Sequence, residues 1–379
     1  VNIRHLDAIS RIPAAQWNAL TGIDYPFLRH EFLLALEASG CVAPETGWQP
    51  RHLLIEDAGR LLAVMPLYLK LHSYGEFVFD HAWADAYHRN GLDYYPKLVN
   101  AIPFTPCNGP RIAYSGIAPE DLAPLVSEAL QQELLRHTAS GWHCLFPEPA
   151  QSGFWNTLDA DHRIACHFHW HNKGYADFEH FLQDCQPRKR KEIKRERRII
   201  ADQGIMMERI AGADITPEHI SRFYLFYQLT NAKYNGHGGY LSEAFFQDLL
   251  RSMPEQMLLV FAYQQDECIA GALNFHSAST LYGRYWGCLQ EREMLHFETC
   301  FYQGIAFCIE NGLTAFDPGA QGEHKIKRGF RPILTQSFHH LVHPQFRSAV
   351  QRYLAQEKPA VDSYRAAMAG LLPFRPESA

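Results

Sequence analysis

The sequence predicts an α/β (α+β) chain in which one mixed unit is used twice. Three observations predict it. A helix, an antiparallel hairpin, a further strand, a helix and a closing strand follow one another in the first half, and again in the second. Local segments agree between the halves: FLRHEFLLAL (27–36) with YLSEAFFQDL (240–249), and DAGRLLAVMPLYL (57–69) with QQDECIAGALNFH (264–276). At 379 residues the chain is also longer than one core ordinarily holds. The implied partition is a first domain over 1–165, a linking strand and basic helix over 166–204, a second domain over 205–355 and a tail over 356–379.

In the first domain, residues 27–38 carry Phe27, Leu28, Phe32, Leu33 and Leu36 on one helical face, closed by Ser39-Gly40. Strands at 51–56 and 61–69 flank the turn Asp57-Ala58-Gly59-Arg60. A third strand is expected at Gly75–Phe79, followed by an aromatic and ionisable tract containing Asp80 and Asp85. The polar loop Asn108-Gly109-Pro110-Arg111 precedes a helix at 120–137 and a strand at 142–146.

Next, residues 163–171 alternate as a strand, with His167, His169 and His171 on one face and Phe168 and Trp170 on the other. Positions i and i+4 of a strand lie about 13 Å apart, so the three imidazoles cannot share one ion. No metal is expected. Residues 188–198 hold Arg188, Lys189, Arg190, Lys191, Lys194, Arg195, Arg197 and Arg198, with Glu192 and Glu196 as the only acids. On a helix this positive potential is wide, which suits a polyanion such as phosphates or RNA; a simply solvated helix face is the equal alternative.

The second domain opens with Thr216-Pro217, a cap and first-turn pair. That helix ends near Lys233-Tyr234. Ser242 caps the next, strands follow at 257–263, 268–275 and 280–287, and Arg284 and Trp286 share a strand face. Phe297, Phe301, Ile305 and Ile309 then mark a helix over 297–310, closed by Asn311-Gly312. Strand 313–316 runs into Asp317, Gln321, Glu323, His324, Lys325, Lys327 and Arg328, set among three glycines and a proline. A polar, glycine-rich segment directly after a buried strand is where α/β folds place chemistry. Asp317 reads equally well as a turn former before Pro318-Gly319. A last helix is expected at 345–355, with a frayed end.

The net charge is −6, so the surface as a whole does not favour nucleic acid. Nine scattered cysteines form no CxxC pair, and no run of eighteen apolar residues occurs. The expectation is a cytoplasmic protein. GxxxxGK[ST], GxGxxG and GxSxG are missing, which argues against nucleotide hydrolysis, dinucleotide binding and serine hydrolysis.

Several segments carry a family resemblance: FYLFYQLTNAKYNG (223–236), GYLSEAFFQDLL (239–250), GRYWG (283–287), HFETCFYQGIAFCIENGL (296–313) and FDPGAQGEHKIKRGF (316–330). With YPFLRHEFLLALE (25–37) and FTPCNGPR (104–111), they resemble the FemAB-like branch of the GNAT acyltransferase superfamily, over about residues 7–355. The resemblance implies two tandem GNAT-like domains. It implies transfer of an aminoacyl group from aminoacyl-tRNA to an amine, as on a peptidoglycan precursor, with no cofactor. The glycine-rich loop with which ordinary GNAT enzymes hold acyl-CoA is missing here, which places acyl-CoA second as donor. By the same resemblance Gly319, Gly322, Lys325 and Arg328 hold donor phosphate. Asp317 or His324 positions or deprotonates the amine. An acceptor in the cleft between the domains would meet Lys233, Tyr234, Arg284 and Tyr285, with Asp80, Asp85 and Arg111, while the basic segment touches tRNA. The rival readings are an RNA-binding protein without catalysis on the same fold, and a metal enzyme built on the histidine strand.

Overall fold

The computed structural model describes residues 1–320 and 322–375, and of Asn235 only the backbone. Gln321 of the polar cluster and residues 376–379 of the expected tail lie outside the described residues. Two compact units result: 1–165 with 334–363, and 166–333 with 364–379. Residues 166–204, however, belong to the second unit and are no linker, and 334–355 belong to the first. Long-range strand pairing draws these segments out of sequence order.

Both units are mixed α+β sheets with helices. In the first, Lys97–Asn100 runs parallel to Gly141–Leu145. The helix Pro119–His137 connects them and buries Leu122, Val126, Leu130 and Leu134 at four-residue spacing. Each such burial contributes about 1.5–3 kcal/mol. In the second unit, Thr280–Cys288 runs parallel to Ala315–Asp317, joined by a helix over 295–310. In each unit a strand distant in sequence pairs onto the parallel strands. Ser337 of Arg331–Leu341 pairs with Leu145, and His171 of Asp161–His171 pairs with Ala315. The first core centres on Leu53, Met65, Trp142, Trp155 and Phe338, the second on Trp170, Phe181, Val260, Tyr302 and Phe316.

Three expectations are corrected. Residues 75–79 form a loop, because Gly75 and Phe77 take φ of 81° and 60° and Glu76 turns inward to Lys97 Nζ at 2.7 Å. The repeat's third strand is therefore Lys97–Asn100. The strand Arg331–Leu341 was not expected. The last helix extends over Pro344–Ala369, continuing through Pro359. Among the described residues, no helix is long and apolar enough to cross a membrane, and no three His, Cys, Asp or Glu are placed to hold a metal ion. His167 is buried and its imidazole is held down to about 4, chiefly by burial.

Candidate active site

The parallel strands Thr280–Cys288 and Ala315–Asp317 pair only through Thr280–Ala315, Leu281–Phe316 and Tyr282–Asp317. Beyond that the first strand runs on while the second turns at Pro318. A bulge adds to the divergence. Leu273 faces Tyr285 and Asn274 faces Gly283, so Arg284 is the extra residue. Bulges bend a strand and re-aim its side chains. Gly287 lets the helix Pro217–Asn235 press onto this strand: a Cβ there would sit 2.0 Å from the Phe226 carbonyl oxygen.

A cavity of about 350 Å³ fills the opening between the strands. Arg284, Tyr285, Gly322, His324 and Lys325, all singled out in the sequence, line it together. The Arg284 guanidinium lies over the Tyr285 ring at 5.2 Å. Lys325, 4% exposed, donates from Nζ to the Gly319 carbonyl at 2.8 Å, with those of Pro318 and Ala320 at 3.4 Å. The turn thus holds a cation against the cavity wall. Gly322 has a φ of 107°, and a Cβ there would lie 2.4 Å from His324 Cε1. Glycine is what lets the imidazole fold back over the turn.

Asp317 lies beneath the cavity, 1% exposed. Its carboxylate accepts the Gly319 N–H at 2.9 Å and stands 3.4 Å from His169 Nε2. Burial opposes its ionisation, but the imidazoles of His169 and His167 and the Gly319 N–H together hold it well below the usual carboxylate range. Arg328 does not reach the cavity wall. It lies over Phe297 at 3.3 Å and donates to the His324 carbonyl at 2.7 Å and Glu196 Oε1 at 2.8 Å.

Sequence reasoning missed His296, Trp286, Asn274 and Cys300, which share the lining. The rings of His296 and His324 meet edge to face at 6.0 Å. Burial, then the neighbouring His324, Lys325 and Arg328, holds the His296 imidazole down to about 4. Burial and the same two cations lower His324 as well. Both rings are therefore uncharged near neutral pH, and His324 is able to take a proton. The signal for His296 was its place one residue before the apolar helix stripe. For Trp286 it was the pair of glycines bracketing Arg284–Trp286. A π-helical turn at Glu298–Tyr302 brings Cys300 and Phe301 to the same wall.

Lys233 and Tyr234 line a neighbouring cavity instead, both bonded to Glu291. In the first unit, Asp80 is buried and bonded to Lys97 Nζ and Tyr94 Oη, and Asp85 is exposed on the helix His81–Arg89. Arg111 is buried, its guanidinium donating to the carbonyls of Cys107, Pro110 and Leu145. On the basic helix Pro187–Asp202, Ile193 and Ile200 are buried. Arg197 makes two bonds to the buried Glu298, at 3.0 and 3.2 Å. Lys189 bonds Glu192 and Lys194 bonds Glu179, while Arg190 is half-buried. Arg188, Lys191, Arg195 and Arg198 remain exposed at spacings that form one stripe.

A family model, FemAB-like, described as peptidoglycan biosynthesis/recognition, matches residues 8–376. No curated protein matches the chain in sequence. Among solved structures, that of FemX is similar at a TM-score of 0.51 and 11% identity, over 93% of this chain and 100% of that one. The C-terminal domain of a putative lysylphosphatidylglycerol synthetase from Agrobacterium fabrum is similar at 0.52 and 8% identity, over 89% of this chain and 94% of that one. At such identities the likeness is one of fold. The family match covers nearly the whole chain. The chain belongs to the FemAB-like family, and acyl transfer is the general activity this supports.

Proposed function

We propose that this FemAB-like protein is an N-acyltransferase that moves an aminoacyl group from aminoacyl-tRNA to an amine in the 350 Å³ cavity. The observation that carries the reading is an imidazole, His324, in surroundings that favour its uncharged form, next to the held ammonium of Lys325, on one wall where two parallel strands part. The acceptor amine attacks the ester carbonyl carbon, forming the C–N bond. Its proton passes to His324. Lys325, already held on the Gly319 carbonyl, steadies the oxyanion without reorganising. Collapse breaks the bond to the ribose oxygen, which takes the proton back from His324. Arg284 and Tyr285 hold the acceptor. Asp317, through its bond to the Gly319 N–H, positions the turn whose carbonyls hold Lys325.

Two features favour tRNA over acyl-CoA. The segment 289–294, between the Thr280–Cys288 strand and the following helix, has no glycine whose backbone could wrap a diphosphate. The exposed stripe Arg188, Lys191, Arg195 and Arg198 suits an RNA backbone. Arg328, spent on Glu196, has a structural role in this reading.

The test is transfer by the purified protein from mixed aminoacyl-tRNA, and separately from a panel of acyl-CoAs, to an amine panel, read by mass spectrometry. Transfer from charged tRNA, lost in His324→Ala and Lys325→Ala, supports the reading. Transfer from acyl-CoA alone changes the donor. Binding of neither donor defeats it.

A further inference from the structure

A second cavity, of about 700 Å³, adjoins the reaction cavity, and the transfer described above leaves it unused. Trp286 and His296 belong to the walls of both, their rings edge to face at 5.3 Å. The remaining wall is largely apolar, with Leu229, Leu289, Met294 and Phe297. Leu229 is 43% exposed and Leu289 40%. Large apolar side chains held open to water beside a reaction centre mark a ligand surface. Charge is confined to the most exposed lining groups. Lys233 Nζ bonds Glu291 at 2.6 Å, Tyr234 bonds the same carboxylate, and Arg292 stands exposed beside them.

We propose that this cavity binds a long unbranched hydrocarbon chain carried by one of the two substrates, with its reacting end at Trp286 and His296. Its volume is that of a site for a drug-sized ligand, and a single amino-acid side chain would leave most of it empty. With aminoacyl-tRNA as donor the chain is the tail of the amine; with acyl-CoA as donor it would be the acyl group. The chemistry recognised is the same. This rests on the acyl-transfer reading of the adjoining cavity.

Binding is measured first, without catalysis. The full chain is titrated with 11-(dansylamino)undecanoic acid and the probe is displaced with fatty acids from octanoate to palmitate. Affinity should rise about fourfold per methylene until the cavity is filled. Leu229→Trp and Leu289→Trp place bulk in the cavity from exposed positions and should each weaken probe binding at least tenfold. Transfer assays then separate the sources. Palmitoyl-CoA is compared with acetyl-CoA as donor to a short amine, and dodecylamine with ethylamine as acceptor from aminoacyl-tRNA. A chain-length preference in the first arm assigns the cavity to the donor, and one in the second assigns it to the acceptor. Equal affinity for octanoate and palmitate, wild-type probe binding in both tryptophan variants, or no preference in either arm overturns the proposal. Because probe binding needs no transfer, intact binding in an inactive His324→Ala variant bears on the catalytic reading alone.

Discussion

Replacing Gly322 with alanine tests the catalytic arrangement by adding one carbon. The added Cβ would lie 2.4 Å from His324 Cε1 and 3.0 Å from each ring nitrogen. The ring must withdraw by about 1 Å to regain ordinary contact distance. A catalytic group misplaced by that much loses about 10²-fold in rate, or about 2.7 kcal/mol of transition-state stabilisation. The backbone at φ 107° adds strain of about 1–3 kcal/mol, against a typical total stability of about 5–15. Gly322→Ala should therefore stay folded and lose most of its transfer. The assay is single-turnover transfer, with urea unfolding as the measure of stability. In a His324→Ala background the same change should cost little more, since no ring remains to be displaced. If Gly322→Ala keeps transfer within threefold of the unaltered protein, or if the two losses simply add, the position of His324 does not matter and its role as base is refuted.

Three further outcomes are expected. Because His324 is lowered from 6.5 and must be unprotonated to act, its acid limb in kcat/KM for the donor, measured at saturating amine, should lie below pH 6.5, and His324→Gln should lose that limb. A limb unchanged in the variant would assign it to another group. Arg197→Ala strips two bonds from Glu298, whose side chain is 4% exposed, and among the described residues leaves the bond from Gln303 at 2.7 Å. It should lower the urea unfolding free energy by about 3 kcal/mol, and a loss under 1 would show the pair to be dispensable. Changing Arg188, Lys191, Arg195 and Arg198 together to Gln should flatten the salt dependence of tRNA binding by about 3 in log–log slope. An unchanged slope would remove this stripe from the tRNA contact.

Much of the fold was legible because its signals are local. The stripe Phe297, Phe301, Ile305 and Ile309 announces its helix, and Asp57–Arg60 its hairpin. The doubled order of elements follows from such signals in series. Local pattern misled at Gly75–Phe79, where the apolar run Phe77-Val78-Phe79 imitates a strand. There Glu76 is drawn inward by Lys97, twenty-one residues away in sequence. The strand Arg331–Leu341 was hidden because its residues are mixed and include Pro332. It is a strand by virtue of pairing with residues 141–145. Pro359 reads as a helix end, yet the helix continues through it.

The candidate site divides in the same way. His324, Lys325, Arg284 and Tyr285 were visible as polar residues next to glycines and buried strands, and they share one cavity. Arg328 looked equally fit for phosphate. Its fate depends on Glu196, 132 residues earlier, which in the sequence is merely an acid within a basic run. Arg197 is likewise removed from the positive surface by Glu298. By itself the sequence determined where helices and strands begin, which residues are apolar and how often the unit repeats, since sterics and hydrophobic period act over a few neighbouring residues. Only the tertiary structure decided which charges are matched by a partner and which stay exposed, because Coulomb energy and desolvation depend on distance and burial in space.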